Sequence, residues 1–211
     1  MTAPKRLPPW HEHFRLPSGR ELLIRPIRPE DAGPIQGAFG LLGPEEIRHR
    51  FLYALKELSP DMAQRLTHPD PNTEFALVAA EPLPPGEALV GAVARAAPVP
   101  RTRDAEFDIL GSNFIAGQGL GRHLMRKLAK WARSKKLDRL YGDVLDTNLP
   151  MLALAQSLGF NRVREGDGSG LVRLVLDLYN APCRRQQAVG PPQPLTAFPR
   201  PRVCLPSPFQ T

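Results

Sequence analysis

Cysteine is nearly absent from this chain. Its 211 residues hold two, Cys183 and Cys204, both near the C-terminus. That leaves no disulfide framework and no paired-cysteine metal motif, and it gives the body of the chain no thiol nucleophile. Long apolar runs are missing too: no stretch reaches the roughly 18 apolar residues that a membrane-spanning helix needs. The opening residues MTAPKRLPPWHEHF contain neither the apolar stretch nor the cleavage pattern of a secretory signal. The expectation is a soluble, cytoplasmic protein with no membrane partner. Acid is absent from residues 180–211, which carry Arg184, Arg185, Arg200 and Arg202.

That last absence accounts for most of the charge. The formal net charge is +7, of which residues 180–211 supply four. Residues 1–13, with Lys5, Arg6 and Glu12, supply one more, so the body carries only two. A domain that coats nucleic acid carries basicity on its own surface, so this distribution argues against a nucleic-acid partner. Proline divides the chain in the same way, with four in residues 1–17 and eight in residues 180–211. Proline removes backbone donors and resists helix and sheet. Residues 1–19 therefore read as a flexible extension and 180–211 as a disordered Pro/Arg-rich tail. The alternative for the tail is a docking motif centred on Pro199-Arg200-Pro201. Residues 20–179 read as one domain, and the 42% hydrophobic composition can supply its core.

Within that body, strand and helix patterns alternate. Glu21 to Ile27 reads as a strand, and Pro29-Glu30-Asp31 opens a helical stretch interrupted near Gly40 to Gly43. Pro44 to Leu55 resumes it, with Ile47, Phe51 and Leu55 on one helical face. Ser59-Pro60 is a helix start, serine capping and proline at the first helical position. Phe75 to Ala80, Ala88 to Ala96 and Ala105 to Leu110, separated by turn-rich segments, predict an antiparallel meander. Leu120 to Lys136 is the clearest helix. Arg139 to Leu145 is a strand, Leu149 to Leu158 a helix ended by Gly159, and Leu171 to Leu178 a last strand. The fold class is α/β (mixed α+β).

The join between the third meander strand and the long helix carries the chemistry. Gly117, Gly119 and Gly121 alternate through it, with Gln118 and Leu120 between them and Arg122 and His123 just after. Glycine lets backbone N–H groups approach a ligand closely, and the helix start adds unpaired donors and a positive dipole end. The combination suits a phosphate or pyrophosphate. It is not a Walker loop, since no Lys-Ser or Lys-Thr follows. Nor does it have the spacing of a dinucleotide fingerprint. Close strand–helix packing is the alternative use of the same glycines.

In order of elements and in this loop, the chain resembles the GNAT acetyltransferase superfamily. The family's Gln/Arg-x-x-Gly-x-Gly/Ala loop corresponds to Ala116-Gly117-Gln118-Gly119-Leu120-Gly121, with Ala116 replacing the usual polar first residue. Asn148 to Phe160 resembles the asparagine turn, helix and Leu-Gly-Phe ending that follow the family's fifth strand. Many members carry a tyrosine acid at the position of Ala155. Residues 23–31 resemble the family's opening strand and helix start, and 44–51 and 56–62 resemble, in particular, the acetyltransferase domains of bacterial protein-lysine acetyltransferases.

The resemblance implies a central mixed sheet with helices on both faces, and acetyl-CoA as co-substrate with no metal. It implies direct transfer to an amine acceptor, with a protein lysine in first place. It assigns the cofactor to Ile109, Leu110, Gly111, Ala116, Gly117, Gln118, Gly119, Leu120, Gly121, Arg122 and Asn148, and the general base to Glu106. A base is needed because only about one lysine in 2,500 is neutral at pH 7. From spacing alone, Asp104, Glu106 and Asp108 read equally as a solvated acidic face. Ala116 and Ala155 also leave open a degenerate acyl-CoA-binding module without turnover. His11 and His13 lack a third ligand and read as surface histidines. His49 is placed on the acceptor side.

Overall fold

The computed structural model describes residues 7–52, 56–111, 117–164 and 170–179. Ala116, Cys183, Cys204 and the expected tail 180–211 lie outside the described residues. Among the described residues, eight strands form one sheet: β1 (Glu12–Arg15), β2 (Glu21–Pro26), β3 (Phe75–Ala80), β4 (Val90–Pro98), β5 (Asp104–Gly111), β6 (Arg139–Leu145), β7 (Asn161–Arg164) and β8 (Leu171–Asp177). Their order is β1-β2-β3-β4-β5-β6-β8-β7. Every neighbouring pair is antiparallel except β5 and β6, which run parallel. The expected meander is β3-β4-β5. The helices are α1 (Ala32–Phe39), α2 (Pro44–Phe51), α3 (Pro60–Thr67), α4 (Leu120–Ser134) and α5 (Leu149–Ser157).

Helices cover both faces, as expected. On one face, α4 sets Leu124, Leu128 and Trp131 against Leu77, Ala94, Phe107, Leu140 and Leu174, and α5 adds Leu152 and Ala155. On the other, Ile35 and Phe39 of α1, Ile47 of α2 and Ala63 of α3 pack on Val78, Ala80 and Val90. Strand β3 lies between the two layers and is buried along its whole length, which is why FALVAA is a continuous apolar run rather than an alternating one.

Local signals fix the helix ends. The Met62 N–H donates to the Ser59 hydroxyl oxygen at 3.3 Å, capping α3. Helix α2 ends at Phe51, with Leu52 as its C-cap at a left-handed φ of 61°; the rest of the expected run to Leu55 lies outside the described residues. The turn before α1 is held by a buried fork: Arg25 donates to both oxygens of Asp31 at 2.7 Å each, and the Arg28 N–H donates to Asp31 at 2.9 Å.

Residues 12–15, assigned on sequence to a flexible extension, form β1 instead and pair with β2 from Glu12↔Ile24 to Arg15↔Glu21. What holds this strand is partly side-chain chemistry with α4. Glu12 contacts the His123 imidazole and accepts from Lys127 at 2.9 Å. Trp10 packs edge-on against Phe75, centroids 4.7 Å apart, and Phe75 stacks on Trp131 at 5.4 Å.

Candidate active site

The parallel pair places the site. Strands β5 and β6 share three rungs, Asp104↔Arg139, Ala105↔Leu140 and Glu106↔Tyr141. Beyond them, β5 stays with β4 as far as Ala92↔Gly111, and β6 stays with β8 as far as Leu145↔Leu171. The two strands part at the last shared rung, which carries Glu106. A glycine lets β6 pass close to β5 just beyond that rung. A Cβ at Gly142 would lie 2.9 Å from Phe107 Cε1, Cζ and the Phe107 carbonyl oxygen.

The three acids of β5 have separate fates. Asp104 is buried and receives two hydrogen bonds from Arg139, each 2.8 Å. It clamps the first rung and is not a solvated face. Glu106 is half-buried, and burial pushes its carboxyl above the usual range, with the Asp108 and Asp143 carboxylates adding to the rise. Arg173 and Arg95 oppose it. Beside it, burial and then the Glu106 charge push the Tyr141 phenol up to about 12. This is the environment a carboxylate base needs, because ordinary carboxylates hold protons too weakly for amine deprotonation.

Past Glu106, Ile109 and Leu110 are half-buried and Gly111 is exposed at the end of β5. The chain re-enters the described residues at Gly117 and reaches α4 through Gly119. Gly117 and Gly119 have φ of 72° and 84°, a left-handed backbone with nothing within 4 Å of an added Cβ. Conformation, not crowding, selects glycine there. Gly121 is the reverse case, since an added Cβ would meet Leu154 Cδ2 of α5 at 3.1 Å. Gly119, the N-cap of α4, has no side chain to cap it, so the helix's first N–H groups and dipole end suit an anion. Leu120 is buried beneath this turn and Arg122 is half-buried on it.

Other expected residues have structural work. Asn148 Oδ1 accepts from the Met151 N–H at 3.2 Å and caps α5. Ala155 is fully buried in the core, facing away from solvent. His49 Nε2 lies 3.4 Å from Thr147 Oγ1, so α2 reaches across to the loop after β6. His13 pairs with Glu21 at 2.7 Å. Among the described residues, no group of three His, Cys, Asp or Glu could hold a metal, and no helix is long and apolar enough to cross a membrane. Sequence reasoning missed Tyr141, Gly142, Asp143 and Arg173. Their places follow from strand register, for which the sequence carried no local signal.

The Acetyltransferase (GNAT) family model matches residues 45–160, from α2 through the fork and the glycine turn to the end of α5. The chain belongs to the GNAT acetyltransferase family. It is 31% identical over 154 residues to Acetyltransferase PA5475 of Pseudomonas aeruginosa, covering 73% of this chain and 82% of that one. The GNAT domain of S. lividans PAT superposes with a TM-score of 0.70 at 26% identity, covering 82% of this chain and 99% of that domain. A cAMP-binding acyltransferase from Mycobacterium smegmatis shares the fold, with a TM-score of 0.54 and 23% identity. The match covers 81% of this chain but 48% of that protein. The GNAT fold accounts for the arrangement of fork, glycine turn and helix.

Proposed function

We propose that this chain transfers an acetyl group from acetyl-CoA to an amine, with a protein lysine as the acceptor class and Glu106 as the general base. One observation carries the reading: a half-buried carboxylate with a raised pKa stands at the rung where β5 and β6 part. The glycine turn and the start of α4 follow it in sequence. Residues Gly117 to Arg122 would hold the pyrophosphate through backbone N–H groups and the helix dipole. Backbone N–H groups of Ile109 to Gly111 would meet the charge that develops on the thioester oxygen. Glu106 takes one proton from the acceptor ammonium, the nitrogen lone pair bonds the carbonyl carbon as the carbon–sulfur bond breaks, and the second proton that the nitrogen sheds on becoming an amide passes to the departing thiolate. The thiolate leaves with little acid assistance, since a thiol pKa is about 8.5. A core alanine at 155 is compatible with that step.

The lysine acceptor rests on the similarity of residues 44–51 and 56–62 to protein-lysine acetyltransferase domains, and it is supported by the likeness to the S. lividans PAT domain. The buried Ala155 favours a second reading, an acyl-CoA-binding module without turnover. Two measurements separate them. Thermal unfolding with acetyl-CoA at 100 times its Kd should show stabilisation of about 2.7 kcal/mol, with little from ADP. Transfer to an Nα-blocked lysine peptide should then be lost in Glu106→Gln while the thermal shift persists. A shift without any transfer to amines would leave the binding module.

A further inference from the structure

Glu106 looks across the fork at a compact group from two other strands. Tyr141 is its register partner on β6 and is buried. Asp143, two residues on and so on the same face, pairs in register with Arg173 of β8. Arg173 donates to both Asp143 oxygens, at 2.8 and 2.7 Å. The same guanidinium lies over the Tyr141 ring, 5.0 Å from its centroid. A bidentate fork on one side and an aromatic face on the other fix an arginine that would otherwise sample many rotamers.

We propose that Tyr141, Asp143 and Arg173 form a positioning wall that sets the proton affinity of Glu106. Tyr141 excludes water, Arg173 supplies a fixed counter-charge, and Asp143 both holds and offsets that charge. The inference rests on Glu106 being the base. Arg173 alone beside Glu106 would stabilise its ionised form and make it a weak base; Asp143 cancels much of that pull while locking the guanidinium in place. Among the described residues, Glu106 also feels Asp108 on its own strand and Arg95 of β4, which is paired with Glu74 at 2.5 Å. Helix α2 packs over β5 and β6. It brings Glu45 and Arg48, both exposed, Glu46, which accepts from the Gly43 N–H, and His49, which lies beside Thr147.

The wall has a signature that simple structural damage lacks. Removing either half of the Asp143–Arg173 pair breaks the same contact, yet the two changes must move Glu106 in opposite directions. The test is a carboxyl ¹³C NMR titration of the full chain labelled at glutamate, with the Glu106 resonance assigned by its loss in Glu106→Gln. Arg173→Met should raise the Glu106 midpoint and Asp143→Asn should lower it, each by about half a pH unit. Arg173→Lys, which keeps the charge, should return it close to the parent value. Tyr141→Ser should lower the midpoint by admitting water, while Tyr141→Phe should leave it unchanged. Shifts of the same sign in Arg173→Met and Asp143→Asn, or no shift in either, would overturn the proposal. Because the readout is not transfer, it is separable from the base assignment, which fails only if Glu106→Gln retains transfer.

Discussion

Gly142 of β6 sits directly against Phe107 of β5, so that a single added methyl group would overlap both the phenyl ring and the Phe107 carbonyl oxygen at 2.9 Å. The ring is itself held, edge-on to Phe160 at 5.5 Å. With backbone on one side and a trapped ring on the other, neither neighbour can give way cheaply. Gly142→Ala should lower stability by about 1–3 kcal/mol, the usual cost of overpacking. Denaturant unfolding would measure it. Because Phe107 adjoins Glu106, the variant should also transfer acetyl more slowly than its loss of folded protein explains.

Glu106→Gln should lower kcat by about 10²–10⁴-fold, the range of a general base, with little change in acetyl-CoA affinity. Steady-state and single-turnover rates at pH 8 would read it.

The same substitution should stabilise the fold at neutral pH. A carboxyl whose pKa is raised on folding binds its proton more tightly in the folded chain. From this group alone, stability therefore falls as pH rises from the ordinary carboxylate value through the folded value. Above that window the ionised, half-buried Glu106 is a cost, and glutamine removes it. Melting between pH 4 and pH 8 should show the variant's advantage growing as pH rises.

Glu12 has the opposite sign. Burial alone would raise its carboxyl, but hydrogen bonds from Lys127 and His123 and their charges outweigh this and hold it below the ordinary value. Its contribution is present above the unfolded pKa and is lost as pH falls through the folded one. Glu12→Gln should cost no more than about 1 kcal/mol, since the pair is partly exposed. It should speed hydrogen exchange in β1 while leaving β3 protected.

At the glycine turn the two reasons for glycine should separate. Gly119→Ala forces a left-handed backbone on a side chain, a cost of about 1–2 kcal/mol, and it should weaken acetyl-CoA binding. Gly121→Ala meets only the far end of Leu154, which can rotate away, so it should cost less. Calorimetric titration of both variants with acetyl-CoA would show the order.

Much of this architecture was legible because local and global signals agree. Phe75–Ala80 and Arg139–Leu145 have the bounds that their apolar runs suggested, and the Ser59-Pro60 start became the cap of α3. The missed elements lack such agreement. Strand β1 reads EHFR and β7 reads NRVR. Both are short outer strands with charged residues and no apolar alternation, and they are strands because a neighbour offers its edge. For the candidate site, the family resemblance pointed to Glu106 and the glycine turn. The relation of Glu106 to Tyr141, and of Asp143 to Arg173, could not be found in this way, because register across strands far apart in sequence is set by the assembled sheet.

Among the described residues, the three shared rungs of β5 and β6 are also the only parallel strand pairing, and they join two antiparallel halves, β1 to β5 and β6-β8-β7. The sheet is thus two antiparallel stacks joined along a short seam, strapped by α4 and riveted at one end by Asp104 and Arg139. Tension applied between the outer strands would concentrate on that seam. Glu106 stands where a crack would start, so the residue proposed to move the proton is also the one that feels first any wedge driven between the halves.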